Sequence, residues 1–201
     1  MTNSHPLQCR CGTFRAEVAA TPVSTRAVCY CRDCQAFARF LGPPPGMLDE
    51  LGGTDIVAVR PRDVTFLSGI EQLACMSLSP HGTVRWFTAC CRTPIGNTPR
   101  DRRVSHVGLI HTVLAVPGHD LGTSFGPVRM HVNRHGAHGI APRTAPPAFA
   151  WALLRYGSGL AWSRISGRYR INPFFDASTG RPRSDPRVLS LAERRELETA
   201  T

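Results

Sequence analysis

Apolar positions recur at strand-like intervals through the first 116 residues. Residues 7–19, LQCRCGTFRAEVA, read as one strand kinked at Gly12, and residues 25–31, built around Val28, Cys29 and Tyr30, as a second. CQAFARFLG, 34–42, starts a short helix that GPPPG, 42–46, must end. DIVAVRPRDVTFLSG, 55–69, predicts two short strands either side of Pro61. The clearest hairpin is EQLACMSLSPHGTVRWFTACC, 71–91, where SPHG turns between two β-rich runs. VSHVGLIHTVLAV, 104–116, reads as a further strand.

The pattern then changes. Residues 117–147 are rich in Gly, Pro and His and read as a long connector. AFAWALLRYGSGLAWSRI, 148–165, is the strongest helix signal, with Pro146 and Pro147 ahead of its first turn. Its Trp151, Leu154 and Trp162 are expected to bury against the β unit or to form a dimer face. LSLAERREL near the C-terminus predicts a short helix with Ser190 and Glu193 as a capping box. The expected organisation is a mainly β domain over 1–116, followed by a loop-rich connector and a C-terminal α-helical extension over 117–201.

Composition narrows the classes. With 42% hydrophobic and 19% charged residues, the chain has the make-up of a folded domain and not of a disordered one. No run approaches the length of a transmembrane helix, and MTNSHPLQCRCG lacks the basic and apolar regions of a signal peptide. A cytoplasmic protein with no membrane partner is expected. In that reducing compartment the eight cysteines are better read as metal ligands or catalytic groups than as disulfides. The net charge is +10, and all 24 basic residues are arginine. That excess permits nucleic acid or an anionic substrate and establishes neither. The arginines are scattered with no aromatic interleaving, so nucleic acid is not the expected main partner.

Seven cysteines fall in three tight groups. Cys9 and Cys11 flank one residue, and Gly12 permits the bend that brings their sulfurs together. Zinc bonds of roughly 2.3 Å place tetrahedral sulfurs about 3.8 Å apart, and two ligands do not close a structural site. Cys90 and Cys91, at the end of the hairpin, are the natural source of the others. Cys29, Cys31 and Cys34 supply three ligands in one arc, which leaves the fourth position to water or substrate, as in reactive zinc sites. An exogenous thiol could fill that position as thiolate. Against this stand packing of small apolar thiols and a redox reading of Cys31 and Cys34, for which no βαβ context is present. Cys75 alone in LACMSL reads as core.

The order CRCG at 9–12, CYCRDC at 29–34 and WFTACCRTPIGN at 86–97 resembles the glutathione-dependent formaldehyde-activating enzyme (GFA) family, which includes the CENP-V-like proteins. The resemblance spans about the first 100–115 residues. It implies a zinc-containing β-tent with one or two zinc ions. A structural site would fall on Cys9, Cys11 and Cys91, and a catalytic one, associated with glutathione or its adducts, on Cys29, Cys31 and Cys34. Carbon–sulfur lyase chemistry is the implied activity. The chain departs from the family pattern at Thr88, where a cysteine is usual, at Arg92, where glycine is usual, and at Tyr30, often His. Cys90 is the candidate replacement ligand, provided the chain turns there. The alternative is a non-catalytic zinc-stabilised domain that recognises a protein or nucleic acid through its arginine surface.

Remaining candidates are weaker. His131, His135 and His138 have helical spacing, but Gly136 and Gly139 argue for a loop, with either no role or a ligand contact. His106 and His111 sit at odd separation on the predicted strand, so at most one faces a pocket. Arg32 and Asp33 inside the cysteine arc are either solvated charges or supports for the thiolates. Trp86 and Phe87 read as core.

Overall fold

The computed structural model describes residues 4–19 and 25–199. Residues 1–3, the start of the stretch scanned for a leader, lie outside them. In chain order the strands are β1 (Ser4–Gln8), β2 (Arg15–Ala19), β3 (Thr25–Cys29), β4 (Thr54–Val59), β5 (Val64–Ser68), β6 (Leu73–Ser77), β7 (Val84–Thr88), β8 (Pro94–Thr98), β9 (Val107–Ile110), β10 (Val128–Val132) and β11 (Arg187–Val188). The helices are α1 (Arg32–Phe40), α2 (His111–Leu114), α3 (Leu121–Phe125), α4 (Pro146–Ile165) and α5 (Leu191–Thr199). The fold is mainly β. A three-stranded sheet runs β1-β2-β5, and an eight-stranded sheet runs β10-β3-β4-β9-β8-β7-β6-β11.

Strand periodicity divides the large sheet's side chains between two cores. Cys75 and Leu109 join a core with Leu7 and Val18 of the small sheet and Phe14 of its β1–β2 turn, while their chain neighbours Met76 and Ile110 join a second core with Phe37 and Met47. Trp86, fully buried, anchors the first core, donates its indole N–H to Thr98 Oγ1 at 2.9 Å and packs against Phe174 and Phe175. The expected core roles of Cys75 and Trp86 agree with this arrangement. The Cys75 thiol donates to the Ser184 carbonyl, and burial pushes it up to about 12. Phe87 is half-buried against Phe40.

Several elements differ from the sequence reading. Residues 7–19 form two antiparallel strands, because the chain reverses between Cys9 and Phe14 with Gly12 at φ +77°. The run 104–116 is strand only over β9 and then turns into α2. β8 has no counterpart in the sequence reading, and all five of its residues are buried. The connector holds α3 and β10, and β10 pairs in parallel with β3. The long helix begins at Pro146, and its Trp151, Leu154 and Trp162 face outward instead of packing on the β unit. The hairpin β6–β7, the two strands around Pro61 and the Ser190–Glu193 capping box form as the sequence predicts.

Candidate metal centres

The first centre joins two hairpin turns. In the β1–β2 turn the Phe14 N–H donates to Cys9 Sγ at 3.3 Å and the Gly12 N–H to the Cys9 carbonyl at 2.9 Å. In the β7–β8 turn the Thr88 N–H meets the Thr93 carbonyl at 3.0 Å, and Arg92 takes φ 54° in the left-handed region. A side chain in that conformation is strained. Arg92 is held there by bonds from its guanidinium to the Leu41 and Phe40 carbonyls and by stacking over the Phe40 ring. The turn releases Cys90 and Cys91 from strand alternation, so both reach the same place. The sulfurs lie 3.5 Å apart for Cys9–Cys11, 3.3 Å for Cys11–Cys90, 4.0 Å for Cys9–Cys90 and 3.8 Å for Cys90–Cys91. These are thiol contacts, far longer than a disulfide bond.

Arg10 fastens the two turns together: its N–H donates to Thr93 Oγ1 at 3.0 Å and its guanidinium to the Cys91 carbonyl at 2.7 Å. Thr88 does not ligate. Its hydroxyl lies 3.4 Å from Cys91 Sγ, and the Thr93 hydroxyl lies 3.1 Å away. Burial pushes the Cys91 thiol up, but these two hydroxyls together with the Cys11 N–H and thiol outweigh it and bring Cys91 down to about 5.

The second centre is local. Cys29 ends β3, Cys31 is the N-cap of α1, and Cys34 lies in that helix's first turn, its N–H 3.4 Å from Cys31 Sγ. The positive end of the helix favours thiolates. Hydrogen bonds from the Cys31 and Cys34 thiols, with one from Asn133 Nδ2 at 3.3 Å, hold Cys29 well below the ordinary thiol range. Sharing with Cys29 pushes Cys31 and Cys34 up. The three sulfurs can reach one ion, as can the four of the first centre. Among the described residues no further His, Cys, Asp or Glu donor joins the three.

Two supporting residues were missed from the sequence. Arg85, buried on β7, lies 3.9 Å from Cys34 Sγ, 3.3 Å from Asn97 Oδ1 and 3.4 Å from Asp33 Oδ2. Asp33 also pairs with Arg194 of α5 at 3.6 Å, so it supports the arc, whereas Arg32 is exposed. Asn133 follows β10 at φ 54°, a conformation asparagine tolerates. The alternation Val128, Met130, Val132 was the available signal for β10. Arg85 left none, because a charged residue between Val84 and Trp86 reads as solvent-facing.

The histidines stay out of both centres. His131 lies on β10 with its Nδ1 3.3 Å from the Tyr30 hydroxyl, and His135 and His138 follow in a turn and loop. His106 is half-buried just before β9, its ring edge-on to Tyr156, and His111 starts α2 with its Nδ1 at 3.2 Å from the Asp55 carbonyl.

The molecule is thus a mainly β protein with two cysteine clusters that can each hold a metal ion. The chain belongs to the DUF6151 family, a family of unknown function, whose profile matches residues 1–184. No curated protein matches it. A crystal structure of a Rhodobacter sphaeroides protein is similar over 63% of this chain and 99% of its own, with 18% identity and a TM-score of 0.42. No helix of the described residues is long and apolar enough to cross a membrane.

Proposed function

We propose that this protein is a zinc-containing β-tent in which the four-cysteine centre is structural and the three-cysteine centre binds a small thiol. The reading extends to carbon–sulfur lyase chemistry on an adduct of glutathione or a similar thiol. The observation that carries it is the contrast between the clusters: four converging thiols close a tetrahedron, while three leave one position for a ligand. The cysteine order that resembles the GFA family supports the same assignment of roles.

Zinc held by Cys29, Cys31 and Cys34 supplies a Lewis acid that favours the thiolate form of an incoming thiol. The chain's own groups do the rest. Asn133 fixes Cys29 by donating to its sulfur. Arg85 offsets the negative charge of three thiolates from within the core, held in place by Asn97 and Asp33. Arginines suit the carboxylates of an anionic thiol.

Metal analysis beside thiol binding tests the proposal. Two zinc equivalents are expected, one for each cluster, falling to one in Cys29→Ser and in Cys91→Ser. Saturable glutathione binding is expected in the wild type and absent in Cys31→Ser, with circular dichroism unchanged. Two zincs without any thiol binding would refute the reactive half, and salt-sensitive retention on DNA in that protein would favour the binding-domain alternative.

A further inference from the structure

Helix α4 carries apolar residues around its circumference. A helix of that kind must be covered on both sides. Its inner side meets the protein through Tyr156, which contacts His106, and through buried Ser163. Its outer side is bare: Trp151 is 66% exposed, Leu154 65%, Trp162 61% and Ile165 80%. At 100° per residue these four fall within an arc of about 80°, so they form one stripe along a helix roughly 30 Å long.

The charge of this stretch of the chain bears on what covers the stripe. Residues 121–175 contain seven arginines and no aspartate or glutamate. Arg164 lies on the helix, and Arg168 and Arg170 follow it in the next turn. A second copy would bring an equally cationic segment face to face with the first. An anionic surface complements it. Exposed tryptophans along one edge of an apolar stripe suit the headgroup region of a bilayer, where indole rings and snorkelling arginines lie.

We infer that α4 docks the protein on anionic lipid surfaces, with Trp151, Leu154, Trp162 and Ile165 in the interface and the arginines on the headgroups. This needs no spanning segment, so the absence of one does not oppose it. The docking is independent of the cysteine centres and of any reaction there.

Vesicle binding with tryptophan fluorescence tests it. Trp86 is fully buried, so a change in emission reports on Trp151 and Trp162. Vesicles of equal parts phosphatidylglycerol and phosphatidylcholine should co-sediment the protein and blue-shift its emission. Pure phosphatidylcholine should bind about tenfold or more weakly, and high salt should abolish the difference. Trp151→Ser with Trp162→Ser should lose binding. Leu154→Ser with Ile165→Ser, which keeps both fluorophores, should weaken it about tenfold or more. Circular dichroism establishes that each variant is folded. Failure to bind anionic vesicles overturns the inference, as does binding that survives both pairs of changes. Concentration-dependent dimerisation with no vesicle binding overturns it in favour of self-association through the same stripe.

Discussion

A guanidinium buried beside a thiol has one sound physical reason: it faces a negative charge that burial makes worth neutralising. Among the described residues the further partners of Arg85 are Asn97, half-exposed Asp33 and the Phe37 ring, so thiolates held by a metal at the second centre would add to the counter-charge that Asp33 supplies. Arg85→Gln should weaken metal binding at Cys29, Cys31 and Cys34 about 10- to 100-fold, read by competition with a chelator, and leave the first centre unchanged. Equal affinity in the variant would show that the charge is irrelevant to the site. His106 offers a second test at this scale. Burial pushes it down from 6.5 to about 4, so the folded protein refuses a proton that the unfolded chain accepts. Its contribution is therefore intact above pH 6.5 and is lost as pH falls toward 4, with a limiting slope of about 1.4 kcal/mol per pH unit. Urea titrations should find that slope reduced by one proton in His106→Phe. An identical pH profile would assign the acid sensitivity elsewhere.

Elements whose pairing depends on a missing side chain were the hardest to read in advance. A Cβ on Gly96 of β8 would stand 2.6 Å from the Gly108 carbonyl of β9, so glycine is what lets these two strands close up. Gly96→Ala should part them and cost about 1–3 kcal/mol, measured by denaturant unfolding. A neutral outcome would mean that β9 shifts freely. The same fact explains why β8 was illegible: Pro94, Gly96 and Asn97 are turn residues in isolation, and each is there for a tertiary reason. Asn97 receives Arg85, and Pro94 sits opposite Phe87 where the register shifts. β10 was hidden similarly, its alternation lost among neighbouring Gly, Pro and His. Local signals fared better. The β6–β7 hairpin and the capping box at Ser190 depend on residues close in sequence, and both formed as read. The short spacings within Cys9/Cys11, Cys29/Cys31/Cys34 and Cys90/Cys91 were legible for the same reason, and the fold brings the first and third groups together. Arg85 and Asn133 reach the same thiols only through strand register, which one sequence does not disclose.

At the scale of the whole molecule the two clusters do different mechanical work. Cys29, Cys31 and Cys34 lie within one short arc between β3 and α1. Cys9 and Cys11 belong to the turn of the three-stranded sheet, and Cys90 and Cys91 to a turn of the eight-stranded one. An ion in the first centre therefore links the two sheets, whereas an ion in the second ties a strand to the helix that follows it. Between the sheets, Leu7 and Val18 of the small one and Phe14 of its turn also pack into the shared core, so losing the link should loosen that sheet without unfolding the rest. Hydrogen exchange after chelation should show amides of β1, β2 and β5 losing protection ahead of β4, β7 and β9. Cys91→Ser should reproduce that pattern with metal still available, and Cys29→Ser should leave β1 and β2 protected while exposing the start of α1. Loss of protection spread evenly over both sheets would mean that the apolar core, and not the four thiols, fixes how they sit together.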